Sequence, residues 1–307
     1  MEYSSGPQTP LPMRQAALFS DRPQSPQNSV PPFKTQLLKW VGNKQRFAHE
    51  IISYFPPQYG TYFEPFLGSG AVLGTLAPKR SVASDACGPL ARIWQLLHDD
   101  PERLVEAYRE RWKRFRKDRA RTYEQVKASF NESPTPEDLF FLSRSCYGGV
   151  IRFRRDGYMS TPIGIHNPVP PESVAHRIGL WRERTQGASF VHSDFEETIA
   201  RARAGDLVYC DPPYSDTQAI LYGSQDFTLE RLFRSIEQAK NRGAFVALSI
   251  DGHKKSGKKQ CGIATPPGLF ESECVVNCGR SMLRRFQMSG QTLEAEVVSD
   301  RLLLTWC

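Results

Sequence analysis

The stretch Val208-Tyr209-Cys210-Asp211-Pro212-Pro213-Tyr214 decides the fold. An apolar run that reads as a buried strand ends here in a carboxylate, two prolines and an aromatic ring. The first proline lacks a backbone donor and pushes the residue before it out of helical geometry. Strand pairing therefore stops, and the Asp211 side chain is left at the strand's C-terminal edge, where open α/β sheets bind their ligands. Carboxylate, carbonyl and flat ring on one rigid backbone suit an amino group carried by a planar heterocycle. Asp211 and the Pro212 carbonyl each accept one of its protons, and Tyr214 stacks on the ring face.

Other strands end in the same way. Tyr62-Phe63-Glu64-Pro65-Phe66-Leu67-Gly68-Ser69-Gly70 reads as strand, glycine turn and helix start. Gly68 and Gly70 permit a sharp turn and close approach to a ligand, but no Lys-Ser/Thr follows, which disfavours a phosphate cradle. Ser81 to Ser84 is a second strand ending at Asp85, about 20 residues past the first; that spacing favours a carboxylate on ribose hydroxyls over a simple helix cap. Ala188 to His192 leads to Asp194-Phe195, and Ala244 to Ile250 to Asp251. Glu64, Asp85, Asp194, Asp211 and Asp251 would thus gather along one crevice of a parallel sheet. Val275 onward and Leu302-Leu303-Leu304 read as closing, antiparallel strands, and Thr228 to Lys240 as an amphipathic helix.

Composition sets the bounds. A chain of 307 residues, 39% hydrophobic and 24% charged, fits a soluble protein with one large and one smaller domain. It has no apolar run of membrane-spanning length and no secretory start, so a cytoplasmic protein is expected. The net charge of +7 points to a polyanionic partner. Seven cysteines without an export signal argue against a disulfide framework, and without paired short-spaced thiols no metal site is expected. Residues 1–33, rich in Pro, Gln and Ser, read as a disordered tail.

Leu37 to Lys44 breaks at Gly42, leaving Trp40 and Lys44 to flank a tight turn. A ring face and an ammonium side by side suit a ligand with a cation and a carboxylate; a core Trp beside a solvated Lys is the plainer alternative. Residues 96–185 change character. A dense basic run from Arg109 to Arg121, including Arg116, has Tyr108, Trp112 and Phe115 at helical spacing. Further on, Arg144, Arg152, Arg154 and Arg155 alternate with Tyr147, Phe153, Tyr158 and glycines, a composition fit to reach bases and phosphates in a groove. The basic loop at 252–269 is also placed near a phosphate backbone.

Leu38-Lys39-Trp40-Val41-Gly42-Asn43-Lys44, Phe63-Glu64-Pro65-Phe66-Leu67-Gly68-Ser69-Gly70, Asp85 and Asp211-Pro212-Pro213-Tyr214, in this order, resemble the DNA adenine methylase (Dam-like) family of N6-adenine methyltransferases. The resemblance runs from about residue 36 to the C-terminus and implies an α/β fold. Its core would be a Rossmann-like methyltransferase sheet with helices on both faces, formed by residues 34–95 and 186–307. A smaller, mainly helical DNA-recognition domain would occupy 96–185. It implies S-adenosyl-L-methionine as methyl donor, touched by Trp40, Lys44, Glu64, Gly68, Gly70, Asp85, Asp194, Phe195 and Asp211. It implies Asp211, Pro212 and Tyr214 as the site for an adenine flipped out of double-stranded DNA, and compatibility with a restriction or defence partner. Arg116, Arg144, Tyr147, Arg152, Arg154 and Arg155 are the expected DNA contacts, Arg152 where the family places a guanine-reading arginine. Tyr147-Gly148-Gly149-Val150 departs from the family's Tyr-Asn-Gly loop, which bears on the recognition sequence rather than on the chemistry. A cytosine-N4 methyltransferase would use the same acceptors. A non-catalytic DNA-binding relative is disfavoured by the intact Asp211, Asp85 and glycine loop.

Overall fold

A computed structural model describes residues 28–154, 156–213, 227–251, 264–280 and 297–307. Among these, seven strands form one sheet: β1 (Tyr62–Glu64), β2 (Ser81–Asp85), β3 (Ala188–His192), β4 (Leu207–Cys210), β5 (Phe245–Asp251), β6 (Ser272–Arg280) and β7 (Val297–Leu304). Their spatial order is β3-β2-β1-β4-β5-β7-β6. β1 to β5 are parallel, β7 runs antiparallel between β5 and β6, and the closing strands expected near the C-terminus are therefore present. The order reverses between β1 and β4, which makes the cleft beyond their C-terminal ends the topological switch point.

Successive residues of the central strands face opposite apolar layers. Tyr62, Leu207, Tyr209, Ala247, Leu302 and Leu304 join one cluster, whereas Phe63, Val208, Cys210, Val246, Leu248 and Leu303 join the other. Burial on both faces explains why these strands read as unbroken apolar runs. The first layer is covered by α1 (Ala48–Ser53), α2 (Ala71–Leu76), α3 (Gly88–Asp99) and α7 (Pro171–Arg184), the second by α8 (Phe195–Ala200) and α9 (Leu229–Asn241).

The expected recognition segment is helical. The basic run is divided: α4 (Pro101–Lys117) stops at Asp118, whose side chain accepts the Arg121 N–H and caps α5 (Arg119–Glu132). Thr135 caps α6 (Pro136–Ser145) in the same manner. Buried Asp138 joins all three helices, accepting from Arg111 Nε at 2.8 Å and from Ser129 Oγ at 2.9 Å. Tyr108, Phe115, Phe140 and Phe141 pack in the same apolar cluster as Trp94 and Trp181, so the core is continuous from sheet to helices.

Order begins earlier than composition suggests. Asn28 donates through its backbone to the Ser53 carbonyl, and the Phe33 ring meets Trp181 edge-on at 5.2 Å. The expected tail boundary at residue 33 is therefore corrected: residues 28–33 pack on the body, because Phe33 finds a large apolar partner far along the chain. Residues 1–27 and most of the basic loop, 252–263, lie outside the described residues.

Gly74 in α2 shows how tight this packing is, since a Cβ there would lie 2.4 Å from the Trp181 ring. Although alanine is the better helix former, Gly74→Ala should destabilise the protein by about 1–3 kcal/mol, lowering Tm by a few degrees in a thermal melt.

Candidate active site

The site begins with how β1 and β4 end. Both stop in carboxylates, Glu64 and Asp211, at the C-terminal edge and on adjacent strands. Pro212 is buried directly after Asp211, and the prolines end the ladder. Taking these carboxylates out of water calls for compensation. Lys44 supplies it: its Nζ lies 2.8 Å from Asp211 Oδ1 and 3.5 Å from Oδ2 of Asp300 on β7. The lysine is delivered by the tight turn the sequence suggests, with Gly42 at φ 74°. Both side chains of the shorter pair are largely withdrawn from solvent, 6% exposed for Lys44 and 18% for Asp211.

Glu64 is held differently. The Tyr62 hydroxyl donates to its Oε2 at 2.6 Å. Burial is the main force on this carboxyl, pushing its pKa up to about 8 from an ordinary 4.5; the Asp211 charge adds to the rise, and the Tyr62 hydrogen bond opposes it. Glu64 is thus protonated near neutral pH while Asp211 is paired with an ammonium. Cys210 stands in the same corner, but burial and the neighbouring Asp211 charge raise its thiol far above the ordinary value, so it is not a thiolate nucleophile.

The second half of the site lies over β1 and β2. Gly68 (φ 49°) and Gly70 (φ 65°) turn the chain in left-handed conformations. Asp85 braces the turn, Oδ2 accepting the Gly68 N–H and Oδ1 the Cys87 N–H, each at 2.9 Å. Burial raises the Asp85 pKa, against the lowering effect of those two backbone bonds. Trp40 packs on the turn, where a Cβ on Gly68 would come within 3.1 Å of its ring, and Trp94 Nε1 donates to the Gly68 carbonyl at 3.1 Å.

Asp194 and Phe195 flank this turn. Asp194 caps α8 through the Glu196 N–H at 2.9 Å and pairs with Arg231 at 3.1 Å. Phe195 stacks on Phe66 of the glycine turn at 5.2 Å, with the Arg231 guanidinium 5.0 Å from its ring centre. Trp40, Lys44, Glu64, Gly68, Gly70, Asp85, Asp194, Phe195 and Asp211 therefore line one edge of the sheet. Tyr214 lies outside the described residues. Asp300 is the residue that sequence reading missed. It sits inside a strand rather than at an end, and no local pattern marks it.

The expected DNA contacts separate. Arg152 and Arg154 are exposed on one short turn, closed by Arg154 N–H to the Tyr158 carbonyl at 2.8 Å, with the Arg154 guanidinium 4.8 Å from the Tyr158 ring centre. Tyr147 is 38% exposed on the loop after α6. Arg116 is exposed on α4, beside Trp112. Arg155 is outside the described residues. Arg144 requires correction. It is 7% exposed and donates to the Gln36 and Leu37 carbonyls, so it braces the segment leading to Trp40 instead of presenting its charge. Its place on the buried face of α6 explains the difference.

Among the described residues, no helix is long and apolar enough to cross a membrane. The family model of D12 class N6 adenine-specific DNA methyltransferases matches residues 40–259. The chain is 29% identical over 225 residues to the Type II methyltransferase M1.LlaDCHI of Lactococcus lactis subsp. cremoris, covering 69% of this chain and 79% of that protein. It is 30% identical over 203 residues to the DNA adenine methylase of Escherichia coli (strain K12), covering 63% of this chain and 71% of that protein. Among solved structures, the rRNA methyltransferase aviRa from Streptomyces viridochromogenes aligns over 92% of this chain and 88% of its own, at 13% identity and a TM-score of 0.35.

The Glu64 carboxyl gives the site a stability signature. Its pKa is raised on folding, so its contribution is present below about pH 4.5 and is lost as pH rises toward about 8, because only the unfolded chain releases the proton in that window. Urea denaturation at pH 5 and pH 8 should show stability falling with pH, and Glu64→Gln should flatten that slope.

Proposed function

Because the chain belongs to the D12 class N6 adenine-specific DNA methyltransferases, we propose that methyl transfer takes place at the β1/β4 switch point, from S-adenosyl-L-methionine to an adenine turned out of duplex DNA. The observation that carries this reading is the Lys44–Asp211 pair. A charged N–H donor already rests 2.8 Å from Asp211 Oδ1 at the strand's edge, standing in for the donor that a target amine would present.

The residues over β1 and β2 fit the methyl donor. Asp85 uses one lone pair of each oxygen on the turn, and an ionised carboxylate has about four acceptor sites, which leaves capacity for ribose hydroxyls. Asp211 and Asp300 set two carboxyl groups against the single Lys44 ammonium, an arrangement that suits a cationic sulfonium. When bound, the donor supplies an activated methyl group, so the protein's task is positioning. Trp40 and the Gly68 turn bound the donor side, and Phe195 with Asp194 the adenosine side.

On the target side, Asp211 and the Pro212 carbonyl each accept a hydrogen bond from one N6–H of the target amino group. This draws the nitrogen's lone pair out of conjugation and toward the methyl carbon. When bound, S-adenosyl-L-methionine would give its methyl group to N6, and the surplus N6 proton would pass along its hydrogen bond to the Asp211 carboxylate. Turning the base out costs a few kcal/mol, which stacking on Tyr214 and these two hydrogen bonds offset. Arg152 and Arg154 on their tyrosine-backed turn, with Tyr147 and Arg116, form the reading surface.

Asp211→Asn should lower methyl transfer by at least about 100-fold while DNA affinity stays near wild type. The check is nucleoside analysis of methylated duplex DNA beside a binding titration. N6-methyladenine is the expected product; N4-methylcytosine alone, or a fully active variant, would overturn the assignment. Arg152→Ala should relax sequence preference at one base pair by about 1–3 kcal/mol, read by sequencing modified sites in DNA exposed to each enzyme.

A further inference from the structure

Asp300 is absent from every motif and lies beyond the part of the chain that matches the family model. It is nevertheless a buried acid, 7% exposed, at the interior edge of the catalytic cleft. β7 brings it there. This strand enters the sheet antiparallel beside β5, so a residue in its interior, not at its end, reaches the C-terminal edge of the parallel strands. In the ladder Asp300 pairs with Asp251 on one side and Val276 on the other. Its carboxylate lies 3.5 Å from the ammonium that Asp211 holds at 2.8 Å.

Lys44 bridges the two acids, and Asp211, with about four acceptor sites, keeps capacity for a target amine beside it. An ammonium offers three donors, so one Lys44 can be shared between two carboxylates without leaving either. We propose that Asp300 is a positioning residue for methyl transfer: by holding Lys44 from the β7 side it fixes the ammonium, and through it the Asp211 carboxylate, in the orientation that the target amino group requires. This rests on the assignment of Asp211 as the amine acceptor. Asp300 itself touches neither adenine nor donor; it acts through Lys44. Other ionisable groups facing this cluster are Glu64 and Tyr62 on β1 and Tyr209 on β4.

The role separates from a structural one by kinetics. At saturating S-adenosyl-L-methionine and duplex DNA, Asp300→Asn should lower kcat about tenfold while KM for DNA stays within about twofold, and Asp300→Glu should recover most of the loss. In a Lys44→Met background, Asp300→Asn should cost less than about twofold more, because its route of action is gone. Wild-type kcat in Asp300→Asn, or losses that multiply in the double variant, would overturn the proposal. Should Asp300→Asn not fold, Asp300→Ser gives the same comparison; failure of both to fold would make Asp300 a structural charge and overturn it too. An active Asp211→Asn variant would instead place the fault in the assignment of Asp211.

Discussion

Everything at the functional edge depends on one electrostatic demand. Parallel strands end on the same side, and this chain ends several of them in acids, so carboxylates crowd a cleft partly closed to water. Carboxylates in so dry a space must be paired, hydrogen-bonded or protonated. The protein uses all three: Asp211 and Asp300 share Lys44, Asp85 accepts two backbone N–H groups, and burial raises the pKa of Glu64 toward the protonated form. Acids with the same apparent character in the sequence thereby acquire different chemistry. Only the local surroundings distinguish them.

The rest of the architecture keeps that arrangement stiff. The Gly68–Gly70 turn is confined by Trp40 on one side and Trp94 on the other, so its backbone cannot drift from the position Asp85 sets. The Asp211 backbone is fixed by the prolines that follow and by the buried strand before it. By contrast, the turn bearing Arg152 and Arg154 stands exposed and is held mainly by backbone bonds and the Tyr158 ring.

Much of this was legible in the sequence because the informative signals were local. Strand ends marked by Asp85, Asp194 and Asp211, the glycine turn and the lysine turn each depend on residues a few positions apart. The sheet followed from apolar runs, and even the closing antiparallel strands were visible. What stayed hidden depends on contacts between distant parts of the chain. Asp300 looks like an ordinary strand residue until β7 is inserted beside β5. Arg144 reads as a surface charge until α6 turns its face inward, and Phe33 belongs to a polar-looking tail until Trp181 comes to meet it. Composition can report that a residue is charged or apolar, but not which distant partner will claim it.

Helices α6 and α7 are also tied to the strand-side core through backbone carbonyls, not merely through side-chain packing. Arg144 on α6 and Arg177 and Trp181 on α7 donate to the carbonyls of residues 35 to 37, the segment that leads into Trp40. A graft that replaced these helices with those of a relative would strand the carbonyls of residues 35 to 37 unless the same three donors came along. Each orphaned acceptor would cost about 1–3 kcal/mol. An exchange confined to the exposed residues Arg152 and Arg154 would leave those donors, and the helical frame that carries them, untouched.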